Sequence, residues 1–412
     1  MKKLKLLAKF AATAAFLSIV LTGCPGLFPE DSNGTNSSNG SNSSTNNEDT
    51  DKPISGTLTG DTVTWPGEDD EGEIITYYIK PGVTYTIKNG GKLIIEEGAI
   101  IKMGAGSKIE VGIGGTLEAT GAIFTSAKDP RGRTIKAAGQ DAPAAADWKN
   151  IYINGGHGEL YNCEISYGGS GCSTVNVEKN GSSYGSCKID GCKFTYNSGT
   201  NSVTSTVNAA VRYASTLIYG EDNTLTNTTF ENNIWPITLP VKFSVSGNNH
   251  FGTGDKANKF NLIHLFGDYI SGEVVLEHTE VPYLYATGNN FDIGGTSTNG
   301  KLTIKGGDAD HPTVVEFYQK GFRVYDKTGL LVLENYIHFT RCDAVDNQKY
   351  NGIYCYKRKV PYVDNNGKDQ TYTGYVLLTT NSSENIEIDG YEVTGYDKPW
   401  KNDEIQLSNS TQ

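Results

Sequence analysis

From about residue 54 onward, apolar residues recur in runs of three or four, separated by turns rich in Gly, Asn and Asp. Tyr85-Thr86-Ile87, Leu93-Ile94-Ile95 and Ile100-Ile101-Lys102-Met103 are followed by Ile109-Glu110-Val111, Leu117-Glu118-Ala119 and Ile123-Phe124-Thr125. The second triplet repeats the first, Tyr85 to Ile109, Leu93 to Leu117 and Ile100 to Ile123, at offsets of 24, 24 and 23 residues. Gly90-Gly91, Gly98, Gly104, Gly106, Gly114-Gly115 and Gly121 punctuate the runs. Three short strands per ~24 residues, with tight turns between them, is the pattern of one coil of a parallel β-helix. Coils of this kind stack at the ~4.8 Å strand spacing, with alternate residues turned into a narrow apolar core. An antiparallel sandwich or propeller needs longer strands matched across hairpin turns, which this period fits badly. No helical stripe is evident after residue 53.

A looser repeat follows. Leu160-Tyr161-Asn162-Cys163-Glu164-Ile165 matches Ile189-Asp190-Gly191-Cys192-Lys193-Phe194 and then Leu225-Thr226-Asn227-Thr228-Thr229-Phe230, so these coils carry loop insertions. Val245-Ser246-Gly247-Asn248-Asn249-His250-Phe251 echoes Tyr285-Ala286-Thr287-Gly288-Asn289-Asn290-Phe291. Asn and Gly tolerate left-handed φ, and stacked Asn side chains can satisfy turn backbone groups from coil to coil. Leu302-Thr303-Ile304, Phe322-Arg323-Val324, Leu331-Val332-Leu333 and Ile386-Glu387-Ile388 are further strand candidates, and the pattern is less regular from about residue 340. The stretch 54–412 thus reads as one all-β domain of roughly 10–14 coils, a rod on the order of 50–65 Å long.

Composition sharpens this picture. Gly (49) and Tyr (24) are abundant and Met is scarce, as expected of strands joined by many turns. The formal charge is −12, which argues against nucleic acid or anionic headgroups as partners. A monomer is expected.

The N-terminus carries an address. Lys2, Lys3, Lys5 and Lys9 precede the apolar run Phe10–Leu21, too short to span ~30 Å of hydrocarbon and suited to a signal-peptide core. Leu21-Thr22-Gly23-Cys24 resembles the bacterial lipobox, which implies a signal peptide over 1–23, cleavage before Cys24 and acylation of Cys24. Loss of the four lysines takes the formal charge from −12 to about −16. Two or three acyl chains anchor stably where one does not. Pro25 in place of Asp is the pattern that permits outer-membrane sorting in known lipoproteins, so the expected location is the cell envelope, at the outer membrane or cell surface. Residues 24–53 are a lipidated tether. From about residue 30 its Ser, Asn, Gly and acidic composition cannot offset the entropy of ordering.

Six further cysteines, Cys163, Cys172, Cys187, Cys192, Cys342 and Cys355, form an even set for an oxidising compartment, and no CxxC or HxxxH spacing supports zinc. Cys163 and Cys192 share a slot in neighbouring coils, within disulfide reach. The expected pairing is nested, Cys163–Cys192 and Cys172–Cys187, with Cys342–Cys355 closing a tail loop. A stacked pair of free thiols at Cys163 and Cys192 is the alternative.

Ile54-Ser55-Gly56, Thr64-Trp65, Leu93-Ile94-Ile95-Glu96-Glu97-Gly98, Gly115-Thr116-Leu117-Glu118-Ala119-Thr120-Gly121 and Asp147-Trp148-Lys149-Asn150-Ile151-Tyr152-Ile153 follow one another in order. Over about 54–170 this resembles the opening of bacterial secreted proteins with right-handed parallel β-helix repeats, of the pectin-lyase-like superfamily. The resemblance implies the right-handed fold. It implies little about activity, since the superfamily holds lyases, hydrolases, adhesins and many surface proteins. Gly156-His157-Gly158 resembles the Gly-His-Gly of polygalacturonases, but the companion motifs are missing and a turn histidine is the expectation. Asp308, Asp310, His311, Lys320 and Arg323 form the densest ionisable cluster, a candidate for Ca²⁺ or an acidic sugar against a solvated turn. Lys357-Arg358-Lys359, beside Tyr354, Tyr356 and Tyr362, reads as a solvated edge before a glycan contact. The tyrosines could form a sugar-stacking strip. No catalytic residue or metal ligand is assigned. The function these features favour is a non-catalytic surface lipoprotein for adhesion or glycan binding. A polysaccharide lyase or glycosidase is the alternative, and a structural or antigenic envelope component is a third.

Overall fold

The computed structural model of the protein describes residues 54–342, except 136–137, 140, 204–206, 215–216, 218–221, 244–247, 268, 287–290, 319–321 and 326–327. Beyond them it describes the backbone of strands between Ile353 and Leu407. The body is a right-handed parallel β-helix. One twelve-stranded parallel sheet runs through it, from Gly56–Leu58 to Ile386–Ile388, so the coil number falls in the expected range. In the N-terminal part each coil continues from this long sheet into a second sheet of six strands, Thr62–Trp65 to Thr224–Thr226, and then a third of seven, Thr76–Ile79 to His250–Phe251.

The 24-residue repeat is the coil repeat. Tyr85 pairs with Ile109, Leu93 with Leu117 and Ile100 with Ile123, all parallel. Alternation decides which side chain goes inward. Thr84–Ile87, Lys92–Ile95 and Lys108–Val111 each alternate half-buried and buried. The inward residues Ile87, Val111, Ile153 and Val177 stand in one column and have no exposed surface. Each buried aliphatic of this size contributes about 1.5–3 kcal/mol. Phe194, Phe230 and Phe251 form a second column, with ring centroids 5.2 and 5.6 Å apart. Gly is required where the coil bends tightly. Gly114 has φ +70°, and a Cβ on Gly115 would lie 2.1 Å from the Ile87 carbonyl oxygen.

The looser repeat is also coil register, since Leu160 pairs with Ile189 and Ile189 with Leu225. The Val245–Phe251 and Tyr285–Phe291 echo is not. Phe251 pairs with Phe230 in the third sheet, whereas Phe291 pairs with Phe322 in a different, four-stranded sheet. From Tyr269 on, the long sheet is followed in each coil by that four-stranded sheet, Tyr269–Ile270 to Ile353–Cys355, and then by a five-stranded one, Gly272–Leu276 to Ile405–Leu407. Arg358–Val363 and Asp369–Tyr372 form an antiparallel pair, a local departure from the parallel plan.

Cys163, Cys172, Cys187 and Cys192 are free thiols, so the expected Cys163–Cys192 and Cys172–Cys187 bridges are not formed. Cys163 and Cys192 do share a slot, and there they serve as turn caps. The Cys163 N–H donates to Cys192 Sγ at 3.4 Å, and Cys192 Sγ–H donates to the Leu160 carbonyl at 3.3 Å. Asn249 does the same one coil beyond Thr228, accepting from Thr228 N–H at 3.1 Å and donating to Leu225 O at 3.0 Å. Cys187 points into the core of the second sheet, while Cys172 lies at a turn before the long sheet and donates towards the Lys149 carbonyl. Cys342 is buried, and the side chain of its expected partner Cys355 lies outside the described residues.

His278 is buried where the sheets change over. Its Nε2–H donates to Asn249 O at 2.7 Å and its Nδ1 accepts the Glu280 N–H at 3.3 Å, so the neutral ring satisfies both partners. Burial pushes its pKa below 6.5, and the Asn249 bond and the Glu280 and Glu277 carboxylates only partly oppose this, while His250 adds to it. The unfolded chain therefore binds the proton first. The stability this imidazole contributes is complete above about pH 6.5 and is lost as pH falls below it. The melting temperature is expected to fall between about pH 6.5 and 5 more steeply in the wild type than in His278→Gln. Equal slopes in thermal melts across that window would refute the assignment.

Candidate functional site

The outer face of the third sheet carries a groove of about 540 Å³, within the range of small-ligand sites. Alternation places it there. In Glu164–Ser166, Lys193–Thr195 and Thr229–Glu231 the central residue faces the core, so the flanking polar residues face out. The insertion 127–149 forms one end. It is anchored by Trp148, which is fully buried and donates Nε1–H to the Ser166 carbonyl at 2.8 Å. Beneath it Lys102 is fully buried, donating to the Asp129 carbonyl. Burial lowers the Lys102 pKa, against the opposing pull of the Asp129 carboxylate.

Ion pairs line the groove. Arg131 bridges Asp129 at 3.0 Å and Glu164 at 2.6 Å. Glu231 lies between Lys193 at 3.2 Å and Lys256 at 3.3 Å. Burial pushes the Asp129 carboxyl upward, but bonds from Arg131 and Thr125 bring it below the usual range. Glu231 is likewise pushed up by burial and brought down further by Lys193 and Lys256. Both carboxylates are thus held ionised.

Tyr167 and Tyr196 stand on the rim. They follow the strands by one residue and occupy the same slot in successive coils, two positions beyond the paired core residues Ile165 and Phe194. Their rings stack with centroids 5.6 Å apart and planes 10° from parallel. Both have left-handed backbones, φ 65° and 55°, and in the next coil Asn232 takes the slot with φ 57°. Asn tolerates this conformation, whereas for Tyr it costs about 1–2 kcal/mol. Tyr196 remains 46% exposed. The pair thus puts one half-buried ring, Tyr167, and one exposed ring, Tyr196, in a slot where Asn would sit without strain. The repeat Leu160–Ile165 against Ile189–Phe194 contained the signal, since extending it by two residues aligns Tyr167 with Tyr196.

One residue further in lies an asparagine ladder that the sequence motifs placed elsewhere. Asn233 accepts from Asn197 N–H and Nδ2–H at 3.0 Å each, and donates to Phe194 O at 3.0 Å and Asn258 Oδ1 at 2.9 Å. Asn197 and Asn258 donate in turn to the Ile165 and Phe230 carbonyls. All three are buried. The ladder holds the turn that presents Tyr167, Tyr196 and Asn232.

The other candidates are not brought together. Asp308 lies in an exposed turn and caps it, accepting from Asp310 N–H at 2.9 Å and His311 N–H at 2.8 Å, bonds that hold its carboxyl below the usual range. Arg323 instead pairs with Asp292 on the adjacent strand, and Lys320 lies outside the described residues. Among the described residues no three His, Cys, Asp or Glu side chains gather to hold a metal ion. His157 is not in a turn. It begins the strand His157–Tyr161 and points outward, 2.7 Å from Ser186 Oγ and 3.2 Å from Glu159. The side chains around Lys357-Arg358-Lys359 lie outside the described residues.

Searches of protein-family models, curated proteins and solved structures find no match to this chain. Function therefore rests on the site itself.

Proposed function

We propose that this chain is a bacterial envelope lipoprotein, tethered through acylated Cys24, whose β-helix body binds an extended glycan in the groove of the third sheet. The observation that carries this is the stacked pair Tyr167 and Tyr196, held in left-handed backbone on the rim. Aromatic rings offer flat apolar surface to sugar rings, and the charged and amide groups below offer hydrogen bonds to hydroxyls. The short apolar run, the Leu21–Cys24 motif and the Ser/Asn/Gly stretch support the anchor and stalk. The resemblance of 54–170 to pectin-lyase-like proteins supports a secreted β-helix without fixing an activity.

A polysaccharide-cleaving enzyme is the second reading, because carboxylates and cations do meet in one lateral groove. Asp129 and Glu231 are held ionised where a general acid needs a raised pKa. Lys102 has the lowered pKa that suits a base, but it is fully buried under the insertion and out of a substrate's reach.

Tyr167→Asn/Tyr196→Asn tests the proposal, since Asn232 shows that Asn fits this slot. On a glycan array and in titrations of the best hit, the double variant is expected to lose at least about tenfold in affinity, about 1.4 kcal/mol. Its melting temperature should change by only a few degrees, since the strain relieved offsets part of the packing lost at Tyr167. Undiminished binding would remove the groove from the site.

A further inference from the structure

We infer that the groove selects a neutral, linear glycan over a uronate polymer or a peptide. This rests on the groove being the binding site and adds the class of ligand. Charge comes first. The carboxylates of Asp129, Glu164, Glu231 and Asp255 line the groove against three cations, Arg131, Lys193 and Lys256. Each of these cations is already committed, Arg131 to two carboxylates and both lysines to Glu231. A uronate chain would have to break these pairs or lie beside four carboxylates, on a chain of formal charge −12. Hydroxyls carry no such cost. Ionised carboxylates are strong acceptors for them, and paired ammonium and guanidinium groups keep spare donors.

Spacing comes second. The groove crosses the strands, so its chemistry repeats with the coils at about 4.8 Å. An extended peptide advances only about 3.3 Å per residue and would drift out of register. Nor is a backbone edge open to a peptide here, since Lys193–Thr195 is paired on both sides, to Glu164–Ser166 and to Thr229–Glu231. The volume of about 540 Å³ lies within the range of small-ligand sites, room for a short stretch of chain. The outer face of Tyr196, turned from Tyr167 towards the shorter Asn232, is where one ring would stack.

The test is calorimetric titration of the purified full-length protein, in detergent micelles, with cellohexaose, xylohexaose, mannohexaose, chitohexaose and hexagalacturonate. The expected result is that at least one neutral hexamer binds, with an affinity that changes less than about twofold between low and high salt. Hexagalacturonate should bind at least about tenfold more weakly, and the neutral affinity should fall about tenfold in Tyr167→Asn/Tyr196→Asn. Hexagalacturonate binding as tightly as the best neutral hexamer, and lost in the double variant, would overturn the neutral-ligand inference while leaving the binding groove standing. If no hexamer binds in a tyrosine-dependent way, both fall.

Discussion

Asn233→Ala is expected to destabilise the β-helix by about 3–6 kcal/mol, a larger cost than any surface change near the groove. The side chain is buried and all four of its hydrogen bonds go to buried partners. Truncation strands the Asn197 N–H, one Asn197 Nδ2–H and the Phe194 carbonyl where water does not reach, and each stranded group costs about 1–3 kcal/mol. The loss should appear as a drop in melting temperature of roughly 5–10 °C. Asn154→Ala is the comparison, since it removes one half-buried bond to Glu110 and should cost about 1 kcal/mol or less. Equal melting temperatures for the two variants would sink the claim that the ladder supports this turn. Because the ladder holds the slot of Tyr167 and Tyr196, any remaining folded Asn233→Ala protein should also bind glycan more weakly.

Cys24→Ala is expected to be all-or-none. The proposed acyl chains need the Cys24 thiol, and cleavage at a lipobox follows acylation of that thiol. Radiolabelled fatty acid should enter the wild type and not the variant, and the variant should keep its 1–23 segment. Membrane fractions should lose the mature form, because stable anchoring takes at least two hydrocarbon chains, each contributing about 0.8 kcal/mol per buried CH₂. Equal labelling of Cys24→Ala would place the lipid elsewhere or remove it altogether.

Much of the architecture was legible because a solenoid makes each coil answer to its own sequence. The pairing of Tyr85 with Ile109 and of Leu93 with Leu117 follows from local alternation and a fixed period, and neither requires distant residues to be known. Where the coils change corner the same motif misled. The similar Gly-Asn-Asn stretches lead into Phe251 and Phe291, which belong to different sheets, because sheet membership is not a local property of a short motif. The shared slot of Cys163 and Cys192 was readable. Their chemistry was not, because a thiol sulfur that caps a neighbouring coil's N–H and one that bridges to another sulfur occupy the same position in a repeat.

The sequence by itself determined the fold class, the coil length and the identity of most core residues, since those depend on alternation and period alone. It also determined where ionisable residues are dense along the chain, and there the solvated-turn expectation matches the structure. Asp308, Asp310 and His311 are adjacent in the chain and form only an exposed turn. The groove brings together Asp129, Arg131, Glu164, Lys193, Glu231 and Lys256 from several coils and an insertion. Stacking at one strand spacing turns residues tens of positions apart into neighbours, so a site on the lateral face of a β-helix exists only once the length of every intervening loop has set which residue stands above which.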